Sequence, residues 1–200
     1  MPVCFVVTEH PSHLTAERRH RYERVQLLLE GVSGDAVETR HYLDPGDLGA
    51  ASAVVLSGSD APWAVHDPEA LERLRARVLS FDGPVLGICA GMQLQARFAG
   101  GRVAAARGEP AVGFRTIEVV DHGGLLAGLP PRVDVYERHT DEVVDLPPGF
   151  RVLARSPACA VEAIAAPERR WWGTQFHPEA ADERHPAGDV ALRNFFVLAR

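Results

Sequence analysis

Short, almost wholly apolar runs that alternate with amphipathic segments are the feature of this sequence that most constrains its fold. The runs at 3–8, 53–57 and 84–88 are typical of strands that are covered on both faces. Between them, apolar residues recur at helical spacing over 15–31 and 67–79. Strands that alternate with helices predict an α/β fold with a mostly parallel central sheet flanked by helices.

The second half of the chain changes character. Short strand-like segments separated by turns predict a smaller antiparallel β part, followed by a final helix. The strand-like segments are 114–120, 133–136, 151–154, 161–165 and 171–175, and the helix is 190–198. No repeat, low-complexity tract or linker interrupts the sequence, so we expect a single domain over residues 1–200.

Charge and hydropathy narrow the functional class. The formal net charge is −6, which argues against a nucleic-acid partner, because such partners usually need a basic face. No run approaches the roughly 18 apolar residues of a membrane helix, and the N-terminus lacks a signal-peptide pattern. Cys4, Cys89 and Cys159 form no CxxC pair and no disulfide framework. We therefore expect a cytoplasmic protein that does not associate with membranes.

A candidate nucleophile lies where an apolar strand runs directly into a helix. Cys89 is at this junction, and Gly87 and Gly91 flank it, as in a nucleophile elbow, where glycines leave room for a tight turn. At the start of a helix, the dipole would favour the thiolate of Cys89. The N–H of Ala90 would be free to bind an oxyanion. A lone cysteine in an apolar run is often a small core residue, so from the elbow alone both interpretations stay open.

Thiol catalysis needs a base and a group that orients the base. The best candidate base is His177, which ends an apolar strand in the segment Phe176-His177-Pro178-Glu179. Pro178 stiffens the connection, and Glu179 can then accept a hydrogen bond from the imidazole and set its tautomer. The sequence therefore predicts a thiol, an imidazole and a carboxylate that act together.

The remaining histidines compete for functional roles. Most lie in polar contexts and are expected to face solvent; these are His10, His13, His20, His41, His66, His122 and His185. His139 follows a strand among polar neighbours, and it either orients a substrate or lies on a surface turn. No carboxylate or thiol pattern completes a metal site at His10 and His13, so we expect no metal and no cofactor.

Taken together, these motifs resemble the class I glutamine amidotransferase family. Its elbow, G-x-C-x-G-x-Q, is matched by residues 87–93, and its F-H-P-E motif by residues 176–179. The resemblance covers nearly the whole chain. It implies the flavodoxin-like fold of that family and a catalytic triad of Cys89, His177 and Glu179.

The resemblance also implies a reaction. Cys89 would attack the side-chain amide of glutamine and form a γ-glutamyl thioester, and the released ammonia would pass to a separate synthase subunit. Gln93 would help to hold the glutamine. Gly58, Ser59 and Ala90 would supply the oxyanion donors, and no cofactor is implied.

Within the family, the closest likeness is the glutaminase part of GMP synthase, which carries an S-H-G-D segment followed by a P-P-G-F turn. Here the corresponding residues are Arg138-His139-Thr140-Asp141 and residues 147–150. His139, Thr140 and Asp141 are thereby implied in substrate contact or in coupling to a synthetase. Arg138 and Thr140 replace small residues of that pattern.

The loop that carries the second oxyanion donor departs from the family's glycine-rich form. It reads Ser57-Gly58-Ser59-Asp60, where the family usually has G-G-P. If position 59 requires a positive φ, Ser59 is strained there, and the loop would flip only when a partner docks.

Three functions remain open from the sequence. The first is a glutaminase subunit whose ammonia is accepted by xanthosine monophosphate or by a specialised metabolite. The second is a stand-alone hydrolase of γ-glutamyl amides. The third is a non-catalytic binding or regulatory module on the same fold, against which the intact Cys89, His177 and Glu179 argue.

Overall fold

The computed structural model describes residues 1–106 and 111–200. Its helices are α1 (Ala16–Ser33), α2 (Pro68–Leu79), α3 (Ala90–Phe98) and α4 (Ala187–Leu198). Its strands are β1 (Val3–Val7), β2 (Val37–His41), β3 (Ala53–Leu56), β4 (Val85–Ile88), β5 (Arg102–Ala105), β6 (Ala111–Val119), β7 (Arg132–His139), β8 (Asp141–Asp145), β9 (Arg151–Arg155), β10 (Ala163–Ala166) and β11 (Trp171–Thr174). The predicted α/β class is confirmed.

A nine-stranded sheet forms the centre of the described structure, in the order β2-β1-β3-β4-β11-β10-β9-β6-β7. The first five strands are parallel to their neighbours. Every residue of β1, β3, β4 and β11 is buried, because helices cover both faces of this half. The wholly apolar runs in the sequence are explained by this double cover.

The predicted antiparallel part continues the same sheet through β10, β9, β6 and β7. The sequence did not predict β5 and β8, which pair as a separate two-stranded antiparallel sheet. Both strands are short, and Arg102, Asp141 and Asp145 interrupt any apolar pattern in them. Their pairing is therefore set by tertiary contact, which a local pattern does not record.

The helices complete two apolar layers. On one face, α1 and α4 pack against the sheet through Tyr22, Leu29 and Phe195, and on the other face α2 contributes Leu74. The helical segment predicted over 15–31 is too short at its end, since α1 continues through Gly31 to Ser33. Gly34, with a φ of 76°, provides the left-handed C-cap instead.

Parallel pairing places functional candidates at one edge of the sheet. Strands β1, β3, β4 and β11 all point their carboxyl ends to this edge, and the chain continues there into Glu9, Ser57, Cys89 and Gln175. In open α/β sheets ligands bind in the crevice outside these carboxyl ends. The fold thus places the candidate functional residues at this edge.

Among the described residues, we found no helix with the length and apolarity that a bilayer crossing demands.

Gly91 offers a test of how tightly α3 packs on the sheet. A Cβ atom at Gly91 would lie 2.3 Å from the carbonyl oxygen of Leu56. We expect Gly91→Ala to lower the free energy of unfolding in urea by about 1–3 kcal/mol, because backbone atoms must move apart. Gly31→Ala is the control, since no atom lies within 4 Å of the added Cβ and alanine favours a helix. Equal stability of the two variants would contradict this account of the packing.

Candidate active site

The junction of β4 and α3 holds Cys89 in an unusual backbone conformation. Its φ is 50° and its ψ is −107°, and a positive φ is rare for a residue that carries a Cβ. The N–H of Cys89 donates to the carbonyl of Thr174 on β11 at 2.7 Å, and this hydrogen bond ties the turn to the neighbouring strand. Such strain is held only where surrounding structure determines it, and it concentrates at functional sites.

The two glycines that flank Cys89 are required by close packing. A Cβ at Gly87 would lie 2.5 Å from the backbone nitrogen of Met92, and one at Gly91 would meet β3. The sequence expectation that they make room for the turn therefore has a direct steric basis. Ala90 opens α3, where the first N–H groups have no partner within the helix.

His177 and Glu179 follow β11 at the same edge. The Nδ1 atom of His177 lies 2.7 Å from Oε1 of Glu179, and both side chains are largely buried. A proton on Nδ1 bonded to this carboxylate leaves Nε2 as the basic nitrogen. Nε2 is buried and has no hydrogen-bond partner in the part of the chain that the structure describes.

Cys89 and His177 converge on Gly58. A Cβ added to Gly58 would lie 2.8 Å from Cε1 of His177 and 3.4 Å from Cβ of Cys89. The thiol itself points to the carbonyl of Arg138 at 3.7 Å, and the Nε2 atom of Gln175 donates to it at 3.5 Å. The structure thus brings the three residues predicted as a triad together, with the thiol turned toward the cleft.

The electrostatic environment favours a protonated imidazole. Burial by itself would lower the pKa of His177, but the charges of Glu179 and Cys89 together outweigh burial. They hold the pKa well above its usual value.

The loop after β3 presents one peptide group with a defined orientation. The carbonyl of Gly58 accepts hydrogen bonds from Oγ of Ser57 at 2.8 Å, Oη of Tyr22 at 3.0 Å and Oγ1 of Thr8 at 3.4 Å. In a trans peptide the N–H points opposite to the carbonyl, so the N–H of Ser59 faces away from these hydroxyls. Ser59 lines the same cleft as Cys89 and Ala90.

The strain considered for Ser59 is absent. Among the described non-glycine residues, only Cys89 and Arg170 have a positive φ. Burial and the charge of Glu9 also raise the pKa of Tyr22, so its hydroxyl remains a hydrogen-bond donor. The loop therefore reaches this orientation without a second glycine at position 59.

Glu9 forms hydrogen bonds to the rest of this loop, a role that was not predicted from the sequence. Its fully buried carboxylate accepts hydrogen bonds from Oγ of Ser59 at 2.8 Å, the N–H of Asp60 at 2.9 Å and the N–H of Ala61 at 3.0 Å. A signal was available, since Glu9 follows β1 at the carboxyl edge of a parallel sheet. Nothing in the sequence indicated that Tyr22 contacts this loop, because its position fits the buried apolar stripe of α1.

The residues predicted to contact substrate line a cleft of about 260 Å³ beside Cys89. Gln93 forms part of its wall, because Nε2 donates to the carbonyl of Asp141 at 2.7 Å and to Gln175 at 3.1 Å. Its Oε1 accepts from Trp63 at 3.1 Å, which leaves one acceptor lone pair for a ligand. Thr140 and Asp141 also line the cleft, at the lip next to Gln93.

A cluster of charges crosses the mouth of the cleft. The carboxylate of Asp60 lies 2.9 Å from Nε of Arg18, 3.1 Å from Nε of Arg138 and 3.4 Å from a guanidinium nitrogen of Arg21. The loop after β3, α1 and the end of β7 are thus joined by one carboxylate. Arg138, which departs from the family pattern, is used in this contact.

His139 does not lie on a surface turn, an alternative that the sequence left open. Its side chain is about 4% exposed, and Nε2 lies 2.9 Å from Oε2 of Glu137 in a buried polar cluster. Burial, the charge of Glu137 and that of Glu142 raise the pKa of Glu162 in the same cluster. The imidazole therefore faces the interior behind the cleft wall.

One other histidine was also misjudged. His66 is buried, and its Nε2 lies 3.0 Å from the carbonyl of Thr8. The polar sequence around it suggested solvent exposure, but the short turn after Pro62 folds the imidazole inward. His66 thereby supports the loop that follows β1.

Comparison with known proteins points to one family. The family described as glutamine amidotransferase class-I matches residues 15–199. A glutamine-hydrolysing GMP synthase subunit of Pyrococcus furiosus is 39% identical over 177 residues, covering 88% of this chain and 90% of that protein. The glutamine-hydrolysing GMP synthase of Thermus thermophilus is 44% identical over 188 residues, covering 94% of this chain. The chain spans only 34% of that longer relative.

Solved structures agree with this match. A candidate GMP synthase subunit from Thermoplasma acidophilum superposes with a TM-score of 0.80 at 27% identity, covering 100% of this chain and 94% of that one. The glutaminase domain of CTPS from Trypanosoma brucei, solved with bound acivicin, gives a TM-score of 0.72 at 16% identity. It covers the same shares of both chains, and at that identity it supports the fold alone.

The three cysteines should differ in reactivity. Burial raises the pKa of Cys4 to about 11, and burial with the charge of Glu162 raises the pKa of Cys159 further. At pH 7 we expect iodoacetamide to modify Cys89 first, because the raised pKa values of Cys4 and Cys159 leave very little of either side chain as the reactive thiolate. Mass spectrometry of the digested protein measures each site. Modification of Cys4 or Cys159 in the folded chain as fast as Cys89 would contradict the assignment.

Proposed function

The chain belongs to the glutamine amidotransferase class-I family, and from that membership we propose that it hydrolyses the side-chain amide of glutamine and supplies the ammonia to a separate synthetase chain. The observation that carries the proposal is the arrangement at Gly58. There a strained Cys89 at a helix start meets a buried His177–Glu179 pair. A cysteine, a base and an orienting carboxylate are the parts that acyl transfer needs.

In the first half of the reaction, the thiolate of Cys89 attacks the amide carbon of the glutamine side chain. The carbonyl double bond opens, and its electron pair forms an oxyanion on the tetrahedral intermediate. His177, which has taken the thiol proton, gives it to the amide nitrogen. The carbon–nitrogen bond then breaks, ammonia leaves, and a γ-glutamyl thioester remains on Cys89.

In the second half, water replaces ammonia. His177 removes a proton from the water, whose oxygen attacks the thioester carbon. The carbon–sulfur bond breaks, glutamate leaves, and the thiol is regenerated with the proton from His177. Glu179 keeps Nδ1 protonated throughout, so Nε2 stays the nitrogen that exchanges protons.

The oxyanion would be bound by the N–H groups of Ala90 and Ser59. Ala90 offers a free N–H at a helix start, and the three hydroxyls on the carbonyl of Gly58 turn the N–H of Ser59 away from themselves. Donors that are oriented in advance stabilise a developing charge without reorganisation. Gly58 itself provides the space between thiol and imidazole.

We assign the cleft beside Cys89 to the amino-acid end of glutamine. Gln93 offers an acceptor, and Thr140 and Asp141 are further candidates at the adjoining lip of the cleft. His139 would act through the position of this lip, because its imidazole is buried behind it.

A second protein chain would use the ammonia. The Pyrococcus furiosus relative is one subunit of a GMP synthase, and it is matched over nine-tenths of its length. We therefore propose a GMP synthase-type partner that aminates xanthosine monophosphate, and we treat the 200 residues as one glutaminase domain. All three cysteines are unpaired, and one of them is the proposed nucleophile. Free thiols persist in a reducing compartment, so we propose that the protein is cytoplasmic.

The decisive experiment measures glutamate released from glutamine by the purified chain and by its Cys89→Ala variant. We expect release by the wild type and none above background in the variant, because no other group forms the thioester. Cys4→Ala is the matched control, since Cys4 is equally buried but lies on β1. Unchanged release by Cys89→Ala would contradict the proposal.

The partner is tested in the same assay. A synthetase subunit from a two-subunit GMP synthase, with ATP, magnesium and xanthosine monophosphate, should increase the release and consume the ammonia. Glutaminase activity that no synthetase changes, with faster hydrolysis of larger γ-glutamyl amides, would identify a stand-alone hydrolase instead. A chain that stays inactive with the partner and does not react with a glutamine-analogue electrophile would be a non-catalytic module.

Tyr22 should affect the rate and not the binding of glutamine. We expect Tyr22→Phe to lower kcat about fivefold to tenfold with little change in KM. One hydrogen bond worth about 1 kcal/mol orients the peptide that binds the oxyanion. Tyr42→Phe is the control, because its buried hydroxyl has no partner among the described residues. Equal kcat in both variants, or an effect of Tyr22→Phe on KM alone, would show that this orientation does not matter.

A further inference from the structure

Behind the wall of the cleft, five ionisable side chains are buried together. All are at least nine-tenths buried; they are Glu137, His139, Glu142, Cys159 and Glu162. Three of them come especially close, since one ligand atom each from His139, Cys159 and Glu162 lies within 4.8 Å of the other two. No step of the proposed reaction uses Cys159 or Glu162, so the cluster needs an explanation of its own.

Several polar atoms in this cluster have no partner in the described part of the chain. They are Nδ1 of His139, both carboxylate oxygens of Glu162, Oε1 of Glu137 and Oε2 of Glu142. Buried polar atoms are normally hydrogen-bonded, and an unpaired one is costly. Two of the side chains with unpartnered atoms, His139 and Glu162, also lie beside the thiol of Cys159, which is the pattern expected of a site that binds an electron-pair acceptor.

The charge of the cluster leads to the same conclusion. Glu137, Glu142 and Glu162 are three buried carboxylates, yet within residues 1–106 and 111–200 the only ion pair that any of them forms is that of Glu137 with His139. Buried carboxylates need a cation or protons to offset the loss of hydration. A divalent cation would offset this loss without requiring that all three groups hold protons.

We propose that this cluster binds a zinc ion, with His139, Cys159 and Glu162 as its protein ligands. A nitrogen, a sulfur and an oxygen donor form a set that suits zinc. Glu137 holds Nε2 of His139, which leaves Nδ1 for the metal, and a carboxylate behind a metal-binding histidine is a common orienting partner. Glu142 or a water molecule would take the fourth position.

The distances are close to those of a formed site. With bonds of 2.0–2.3 Å, tetrahedral ligand atoms lie about 3.6 Å apart, so the three atoms need to approach by roughly 1 Å. The sequence predicted no metal, because only His10 and His13 were weighed as candidate ligands. The ligands lie on separate segments, the end of β7 and the loop before β10, and only the fold brings them together.

The ion would stabilise the wall of the cleft without taking part in the chemistry. The carbonyl of Glu162 accepts the N–H of Gln175 at 2.7 Å, and Gln175 contacts the thiol of Cys89. His139 directly follows Arg138, whose carbonyl also faces that thiol. This inference therefore extends beyond the proposed function, and it can be tested without measuring activity.

The test uses the purified intact chain. Zinc content after dialysis against zinc and then metal-free buffer should reach one ion per chain. Cobalt(II) added to chelator-treated protein should produce thiolate-to-cobalt charge-transfer absorption. A hundredfold excess of zinc over its dissociation constant should raise Tm by about 5–10 °C, and magnesium should not.

Variants identify the ligands. Cys159→Ser should abolish the charge-transfer absorption, and Glu162→Gln, which keeps the side-chain shape, should weaken cobalt binding at least tenfold. Cys4→Ser is the matched control and should keep the full absorption, because Cys4 lies on β1, away from the cluster. If Cys159→Ser fails to fold, the wild-type spectrum and the Glu162→Gln titration still decide the question.

Two results would overturn the proposal. One is wild-type protein that keeps no zinc at stoichiometry and gives no cobalt–thiolate absorption. The other is absorption that survives in Cys159→Ser, whatever Cys4→Ser does. Either result would mean that protons shared among Glu137, Glu142 and Glu162 neutralise the cluster instead.

Discussion

The parallel pairing of β4 with β11 is the interaction on which the candidate site depends. Gly87 and Gly173 lie side by side in this register, and a Cβ on either would collide with α3. The two glycines let α3 settle onto both strands, and the N–H of Cys89 then bonds to Thr174. The thiol at the end of β4 and the imidazole beyond β11 meet because two neighbouring parallel strands end at one edge.

Around this rigid edge, the loop after β3 is held by groups that a glycine-rich loop would not need. The carboxylate of Glu9 accepts hydrogen bonds from two backbone N–H groups and from the hydroxyl of Ser59. Three other hydroxyls donate hydrogen bonds to the carbonyl of Gly58. Each bond removes an alternative orientation of the loop. The loop that carries Ser59 in place of a glycine is thus oriented by contacts from α1 and from Thr8 and Glu9, which follow β1.

The sequence predicted much of this, for identifiable reasons. Double-covered strands are wholly apolar, so β1, β3 and β4 were recognisable, and two local motifs located Cys89, His177 and Glu179. The strands β5 and β8 were missed because their residues are mixed and partly exposed, and their pairing is long-range. Glu9 and Tyr22 were missed because their role comes from contact with Gly58 and its loop, which lies about 50 and 36 residues away along the chain.

Strand β7 places its side chains alternately in a buried cluster and at the mouth of the cleft. Its burial alternates along most of its length, so Glu137 and His139 point inward while Arg138 reaches Asp60 at the mouth of the cleft. One face of the strand thereby carries an arginine at the mouth of the cleft, and the other face carries a carboxylate and an imidazole in the buried cluster. A shift of one residue would exchange the two sets and bury a guanidinium where carboxylates now lie. The pairing of β7 with β6 over eight residue pairs opposes that shift. The charge on each side of the cleft wall is therefore fixed by backbone register, and local sequence around His139 could not distinguish an inward from an outward imidazole.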